Sequence, residues 1–253
     1  MLDQLLHIVE STRLRDQEIA VRIQSIRTAV LSRSVFVTNP NFSHIHADDL
    51  AQLFDEYDTH FFAGQLRLAL DTTPLHFRLS QRTTNAGGRT THFTHRVTRA
   101  HWYEITVSAA VLFSSFRGTE HRPMTCCGIV CRDRLDGLMR VMEHEMAHLI
   151  EMLLWGDSSC RKHRFHSLTR RFFGHTAYQH NLVTPRERAF VESGIRPGMK
   201  VRFDFEGFTR TGIVNRVTKR ATVLVEDPTG LRYSNGKNYV KYYIPVGMLE
   251  AVE

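Results

Sequence analysis

The sequence predicts an α+β fold followed by a small β-barrel, and three observations lead to this class. A long apolar stripe at helical spacing runs through residues 131–155, and short runs of alternating apolar and polar residues precede it. After about Gly194 the composition changes to short β-rich runs separated by turn residues. We therefore predict helices over 1–46, a helix-and-sheet domain over 47–190 and a small barrel over 195–253.

Length and composition indicate a folded globular protein. The chain has 253 residues, of which 42% are hydrophobic and 23% charged, enough for one sizeable core and a small second module. It contains no apolar run near the ~20 residues that span a bilayer, and its N-terminus lacks the basic and apolar parts of a secretory signal. Four cysteines without an export signal predict reduced thiols, a cytoplasmic setting and no membrane partner.

The N-terminal region predicts three helices. Two of them follow from apolar residues at helical spacing, namely Leu2, Leu5, Leu6 and Val9, then Ile19, Ile23, Ile26 and Val30. Pro40 interrupts this pattern. A third helix is expected to start near Asp48 and Asp49, because acids suit a helix N-terminus, and to end at Gly64.

Two strands are predicted next. Leu75, Phe77 and Leu79 alternate with polar residues, and the glycine-containing turn over 85–88 follows them. Residues 102–113 predict a second strand with Tyr103, Ile105 and Val107 on one face. We expect this strand to lie at a sheet edge, where it could hold an extended peptide.

The helix predicted over 131–155 carries the motif that decides the function. Its apolar stripe consists of Leu135, Leu138, Met139, Met142, Met146, Leu149, Ile150 and Leu153. On the other side lie His144 and His148, which are four residues apart and therefore one turn from each other. Both imidazoles can reach one zinc ion at ~2.0–2.1 Å, with Glu145 between them placed to act on a water.

A solvated polar face is the alternative interpretation of this motif. Such a face in a basic protein should carry lysine or arginine, but none occurs between Arg140 and Arg161. The face holds only acids and imidazoles, which favours a bound cation. Glu151 rises about 10 Å along the helix from His144, so we expect it to orient His148 rather than to bind the metal.

The order of four segments resembles that of the SprT-like metalloproteases. These segments are LFDEYDTHFFAGQL, FRLSQRTTNAGGRTT, YEITVSAAVLF and VMEHEMAHLIE, and the resemblance covers residues 47–175. It implies a zincin-like HExxH metallopeptidase domain, with zinc as cofactor, His144 and His148 as ligands and Glu145 as the catalytic base. The family includes the Spartan proteases, which degrade proteins crosslinked to DNA.

One departure from the family concerns the third zinc ligand. The resemblance implies a histidine at the start of the next helix, predicted over 162–173, but Arg161 occupies that position. Cys160 is the nearest group able to bind zinc, and two histidines with one cysteine form a known catalytic set. We therefore predict Cys160 as the third ligand, with His163 as the rival and with His166 and His175 less favoured.

The remaining cysteines and the glycine pair have simpler interpretations. Cys126, Cys127 and Cys131 have no downstream CxxC partner, so they do not form a zinc ribbon and are expected to pack beneath the start of the long helix. The pair Gly87-Gly88 is too short a motif to indicate a phosphate-binding loop, and it predicts a hairpin turn instead.

The charge distribution predicts a polyanion as a further partner. The net charge is +7 and the pI about 9.5. Basic residues dominate from Arg161 to Arg188, and the C-terminal region, whose segment GIVNRVTKRATVLVED resembles SH3-like and KOW-type modules, carries more of them near its turns. These are Lys219, Arg220, Lys237 and Lys241. We expect weak, sequence-independent DNA binding.

The sequence thus predicts a zinc-dependent peptidase acting on protein or peptide substrates, including proteins associated with DNA or crosslinked to it. The alternative is a non-catalytic nucleic-acid- or protein-binding factor whose zinc only supports structure. A catalytic site keeps an open coordination position and a structural site is closed by four ligands, so the geometry of the site discriminates the two.

Overall fold

A computed structural model describes residues 2–117, 122–218 and 220–252 and shows a mixed α/β protein. Its helices are α1 (Leu2–Ser11), α2 (Asp16–Arg33), α3 (Ala47–Phe62), α4 (Gln65–Leu70), α5 (Ala109–Ser114), α6 (Arg134–Trp155), α7 (His163–Phe173) and α8 (Pro185–Ser193). Its strands are β1 (Leu75–Ser80), β2 (Gly88–Thr94), β3 (His101–Ser108), β4 (Thr125–Cys126), β5 (Ile129–Val130), β6 (His180–Asn181), β7 (Lys200–Phe205), β8 (Phe208–Val217), β9 (Arg220–Arg232), β10 (Asn238–Pro245) and β11 (Glu250–Ala251). A short 3-10 helix covers Val246–Met248.

The chain divides into two compact units, one up to Leu182 and one from Val183. The N-terminal helices belong to the first unit, where α2 packs on α3 and α1 on α4 and α6. Helix α8 belongs to the second unit and packs on β8 and the 3-10 helix. The division therefore precedes α8, whereas the sequence analysis placed its first residues in the 47–190 domain. In the described part of the chain, no helix combines the length and apolar character that crossing a membrane requires.

Local chemistry sets the ends of α3 as predicted. The backbone N–H of His46 donates to Asp49 Oδ2 at 2.6 Å, which places the acids in the first turn. The helix ends where Ala63 (φ 53°) and Gly64 (φ 76°) both adopt the left-handed conformation.

The first unit contains a three-stranded sheet of order β1-β3-β2, in which β1 runs parallel and β2 antiparallel to β3. The prediction that residues 103–107 form an edge strand is wrong, because β3 lies in the centre and β2 forms the edge that packs against α6. The strand predicted over 102–113 also ends early, at Ser108. Its hydroxyl oxygen accepts the N–H of Val111 at 3.0 Å and starts α5 at Ala109 instead.

Helix α6 is buried on nearly every side. Asp133 caps its start by accepting the N–H of Asp136, and Gly156 (φ 72°) ends it. The predicted apolar stripe is buried from Leu135 to Ile150, while Leu153 is half-buried. His144, Glu145 and Glu151 on the polar side are buried too, since β2 and α7 pack against the helix, while His148 is half-buried. The side that carries His144 is therefore part of the interior and not a solvated face.

A second small sheet of order β5-β4-β6 brings Cys126 and His180 close to α6. It joins residues that lie more than fifty positions apart in the sequence.

The second unit is a five-stranded antiparallel sheet of order β10-β9-β8-β7-β11, which confirms the predicted β-rich character. Its core is formed by Ile195, Val201, Phe203, Val214, Val217, Ala221, Val223, Ile244 and Leu249.

Candidate metal centre

The two histidines of the HExxH motif converge as their spacing predicts. His144 Nε2 and His148 Nε2 lie 3.2 Å apart. Two nitrogen ligands at ~2.0–2.1 Å from a tetrahedral ion are separated by about 3.3 Å, so this distance fits a shared metal ion.

Cys160 joins the two histidines. It lies in the loop between α6 and α7, and the ligand atoms of His144, His148 and Cys160 are all within 4.8 Å of one another. Of the rival ligands, His163 is exposed at the start of α7 and His166 packs edge-on against Tyr178. The structure therefore brings together the three residues predicted from the sequence. Two imidazole nitrogens and one sulfur form a donor set that suits zinc.

His175 lies elsewhere, in a buried ion pair. Its Nε2 is 2.7 Å from Glu143 Oε2, and Tyr57 donates its hydroxyl to Glu143 Oε1 at 2.6 Å. Burial by itself would lower the pKa of His175, but the neighbouring Cys127 and the hydrogen-bonded Glu143 carboxylate outweigh it and raise this pKa to about 9.

Ser158 and Glu151 fix the protonation of His148. The Ser158 hydroxyl donates to Glu151 Oε2 at 2.6 Å, so its oxygen can only accept from His148 Nδ1, also at 2.6 Å. Glu151 is held in turn by Arg164, whose Nε donates to it at 2.7 Å. Burial lowers the pKa of His148 to about 3, which keeps the ring neutral. His148 therefore carries its proton on Nδ1 and directs the lone pair of Nε2 toward His144. The expected role of Glu151 in orienting His148 is exerted through Ser158.

Glu145 lies beside the cluster and is not one of its ligands. Its Oε2 is 2.8 Å from the Thr90 hydroxyl on β2, which also lies 2.9 Å from the Glu145 carbonyl oxygen. Burial raises the pKa of Glu145, which brings it closer to the range in which a carboxylate exchanges protons at neutral pH.

Gly88 allows strand β2 to approach Glu145 closely. A Cβ at this position would lie 2.7 Å from Glu145 Oε1 and 2.9 Å from Val141 Cγ1. The hairpin turn predicted for Gly87 and Gly88 is wrong, because β1 and β2 each pair with β3 and not with each other, and Gly88 begins β2. The missing side chain of Gly88 instead makes room for the carboxylate of Glu145.

The cluster forms part of the wall of an open cleft of about 860 Å³. Arg89 and Thr90 of β2 line one side and Tyr178 and His180 another, with Glu145 and Cys160 at the cluster itself. His144, His148 and Cys160 therefore lie on the wall of a cleft that is open to solvent.

Four residues of the site were not found from the sequence. Cys127 lies 3.6 Å from His144 Nδ1, and the rings of His144 and His180 are 4.6 Å apart. Thr90 and Ser158 complete the set. They come from separate segments and follow no fixed spacing. The only available signal was their nearness in sequence to a suspected site residue or turn, as for Ser158 before Cys160.

No protein-family model, no curated protein and no solved structure matches this chain.

Proposed function

We propose that the first unit is a zincin-like peptidase domain of the SprT-like type, which holds zinc through His144, His148 and Cys160. The observation that carries this proposal is the convergence of these three ligand atoms on the wall of an open cleft, with Glu145 beside them. Three protein ligands facing a cleft are typical of catalytic zinc sites, whereas structural sites have four. This arrangement favours an enzyme over a factor with a purely structural metal.

Glu145 and Thr90 have separate roles in the proposed hydrolysis of a peptide bond. Zinc, when bound, supplies Lewis-acid activation of a carbonyl and of a water molecule. Glu145 accepts a proton from the attacking water as the C–O bond forms, and delivers it to the amine nitrogen as the C–N bond breaks. Thr90 holds the carboxylate of Glu145 through Oε2.

Strand β2 is positioned to hold the substrate. It pairs with β3 on one side, and its residues Gly88–Thr90 line the cleft next to Glu145. A peptide pairing with the other side of β2 would lie along the cleft with its backbone hydrogen-bonded to an edge strand. In this proposal β2 takes the role expected from the sequence for residues 103–107.

We also propose DNA as a partner, with the second unit acting as an SH3-like module. The Arg161–Arg188 stretch gives less support than its composition suggests. Arg164 is paired with Glu151, and Arg171 donates to the carbonyl oxygens of Val9 and Thr12.

Better support comes from the outer face of the first sheet. Arg78 of β1 and Arg89 of β2 flank Thr106 of β3, and both line a groove of about 490 Å³ together with Arg82 and Phe93. In the described part of the chain, none of these arginines is ion-paired. Exposed arginines beside an aromatic ring are a typical single-stranded nucleic-acid surface, and Arg89 also lines the metal cleft.

The Glu145→Gln variant tests the enzymatic proposal. We expect it to bind one zinc ion per chain, because Glu145 is not a ligand, and to lose peptidase activity on an unfolded protein substrate by about 10²–10⁴-fold. Glu10→Gln, which changes an exposed carboxylate on α1, is the control and should keep full activity. Cleavage by Glu145→Gln at the wild-type rate would rule out the proposed mechanism.

A further inference from the structure

Cys127 occupies a constrained position directly behind a metal ligand. Its backbone is left-handed (φ 55°), an unfavourable conformation for a residue other than glycine. The fold holds it there through three backbone bonds: its N–H donates to Gln179, and its carbonyl oxygen accepts from Thr176 and Ala177. This turn places the sulfur of Cys127 3.6 Å from His144 Nδ1. Cys127 and Gly128 (φ 78°) form the two-residue turn between β4 and β5, and such a turn requires positive φ, so the hairpin itself fixes the position of the sulfur.

A metal-binding histidine needs a hydrogen-bond acceptor behind it. The acceptor holds the proton on one ring nitrogen, orients the ring and leaves the other nitrogen free for the metal. His148 has this support from Ser158 and Glu151. For His144, the partner of Nδ1 among the described residues is the sulfur of Cys127.

We propose that Cys127 is a positioning residue, whose sulfur accepts the Nδ1–H of His144 and so fixes the tautomer with Nε2 free. A sulfur atom thereby takes the place that a carboxylate or carbonyl oxygen takes behind most metal-binding histidines. This inference rests on the proposed metal centre and concerns how its first ligand is prepared.

A buried hydrogen-bonded network lies next to Cys127. His175, whose Nε2 is 2.7 Å from Glu143 Oε2, is a neighbour of this cysteine. Arg140 and Tyr57 hold the Glu143 carboxylate, which is fully buried. The sulfur that contacts His144 is therefore backed by buried side chains that hold one another in place.

A second cation is the competing explanation of this cysteine. The sulfurs of Cys126 and Cys127 and a ring nitrogen of His180 lie within 4.8 Å of one another and could themselves hold a metal ion. The test must therefore count metal ions as well as measure affinity.

The test compares Cys127→Ala and Cys127→Ser in the full chain, with Cys131→Ala as control. Cys131 is buried in the same region, but among the described residues its sulfur hydrogen-bonds the carbonyl oxygen of Ile129 and no imidazole. The tautomer of His144 is read by ¹⁵N NMR of the metal-free protein, and zinc affinity by competition with a chelator. We expect Nδ1–H in the wild type, a shift toward Nε2–H in Cys127→Ala, and zinc binding weakened about 10–100-fold.

Cys127→Ser should recover the Nδ1–H tautomer and part of the affinity, because a hydroxyl oxygen also accepts this hydrogen bond. Cys131→Ala should behave as the wild type. The proposal is overturned if Cys127→Ala keeps both the tautomer and the affinity, if the serine variant is as weak as the alanine variant, or if the wild type binds two zinc ions and Cys127→Ala binds one. Since the tautomer is read without metal or substrate, its outcome is independent of whether Glu145→Gln abolishes peptidase activity.

Discussion

Cys160 is the residue that completes the proposed set of three metal ligands. On the resemblance expected from the sequence, Arg161 occupies the position of the third ligand, and arginine cannot bind zinc because it stays protonated. The loop between α6 and α7 brings the thiol of Cys160 within 4.8 Å of the ligand atoms of both histidines. The burial of Cys160 raises the pKa of its thiol, so a cation must displace that proton when it binds.

We predict that Cys160→Ala weakens zinc binding by about 100-fold or more. Loss of a mere supporting partner behind a ligand already costs about 10–100-fold, and Cys160 is a direct ligand in our proposal. His163→Ala, three residues later and exposed, should bind zinc as the wild type does. Chelator competition on the two variants measures this difference. Equal zinc affinities for Cys160→Ala and the wild type would mean that a histidine, and not Cys160, is the third zinc ligand.

Two contacts between elements hold the site together. The first is the close approach of β2 to α6 at Gly88. The second joins α2 to the start of α6: Arg27 Nη2 lies 2.7 Å from Asp133 Oδ2, and Arg27 Nη1 lies 2.6 Å from Asp136 Oδ1. All three side chains are about nine-tenths buried, so the ion pairs are shielded from water.

For the first contact we predict that Gly88→Ala reduces peptidase activity by about 100-fold while one zinc ion remains bound. The added methyl group would displace the carboxylate of Glu145, and a shift of about 1 Å in a catalytic group can cost this much. Gly247→Ala is the matched control, because a Cβ there has no atom within 4 Å among the described residues. Steady-state kinetics with metal analysis on both variants would check it. Full peptidase activity in Gly88→Ala would show that β2 can move away from Glu145 without displacing its carboxylate, which would contradict this prediction.

For the second contact we predict that Arg27→Met lowers the free energy of unfolding by about 3–5 kcal/mol at pH 7, because the buried Asp133 loses its arginine partner and Asp136 keeps only Arg132. Arg202→Met breaks the exposed pair with Glu250 and should leave the free energy of unfolding nearly unchanged, because water and salt screen an exposed ion pair. Urea unfolding measures both values. Similar losses in the two variants would mean that the buried pair contributes no more than a surface pair.

The same contact predicts a dependence on pH. Burial opposes ionisation of Asp136, but hydrogen bonds from Arg132 and the charge of Arg27 outweigh it and hold the pKa of Asp136 below the usual 3.8. The stability that this carboxylate contributes is therefore complete above pH 3.8 and is lost as the pH falls through its folded-state pKa. Acid titration of the unfolding free energy should show a shallower loss in Asp136→Asn. Identical acid curves for this variant and the wild type would contradict the assignment.

At the scale of the whole molecule, positive charge is spread over both units. Residues 183–253 hold twelve lysines and arginines and eight acids, so they carry four of the seven net positive charges. Of the turn cations predicted from the sequence, Lys237 is 2.7 Å from Glu226 and Lys241 lies over the ring of Tyr233. Arg220 begins β9, and Lys219 lies outside the described residues. The arginines of the sheet face in the first unit add a second candidate surface.

We predict sequence-independent DNA binding by the full chain, with affinity that falls steeply with salt. Four phosphate contacts would weaken binding by about 100-fold between about 50 and 200 mM salt, because each contact releases condensed counterions. Titration of labelled single- and double-stranded DNA at these two concentrations measures the effect. Removing residues 183–253 should weaken binding without changing zinc content, since every proposed ligand lies in the first unit.

Charge-reversal variants test which surface of the protein binds DNA. Arg78→Glu with Arg82→Glu should weaken binding to single-stranded DNA more than Arg13→Glu with Arg170→Glu, two exposed arginines whose reversal changes the net charge equally. Equal losses in the two double variants would indicate a diffuse charge effect rather than the sheet face. Absence of binding at low salt, or binding unaffected by salt, would leave a protein as the better candidate partner.

The sequence by itself determined several helices and the approach of two histidines. Periodic apolar residues predicted α1, α2, α3 and α6, because a helix that packs on one side must repeat its apolar residues with the helical period. The spacing of His144 and His148 brought their rings together for the same reason, since residues four apart lie on one face. Cys160 was also found from the sequence, through its closeness to the position at which a ligand was missing.

Only the tertiary structure decided which strand forms the sheet edge and what supports the ligands. Strand order depends on how β1, β2 and β3 pair, and a repeat of period two is the same in a central and an edge strand. Cys127, Thr90 and Ser158 reach the site from three separate segments, so no local spacing reports their contacts. Burial of both sides of α6 likewise depends on the elements that pack against it. The sequence of a helix's polar side is the same whether that side faces water or the interior of the protein.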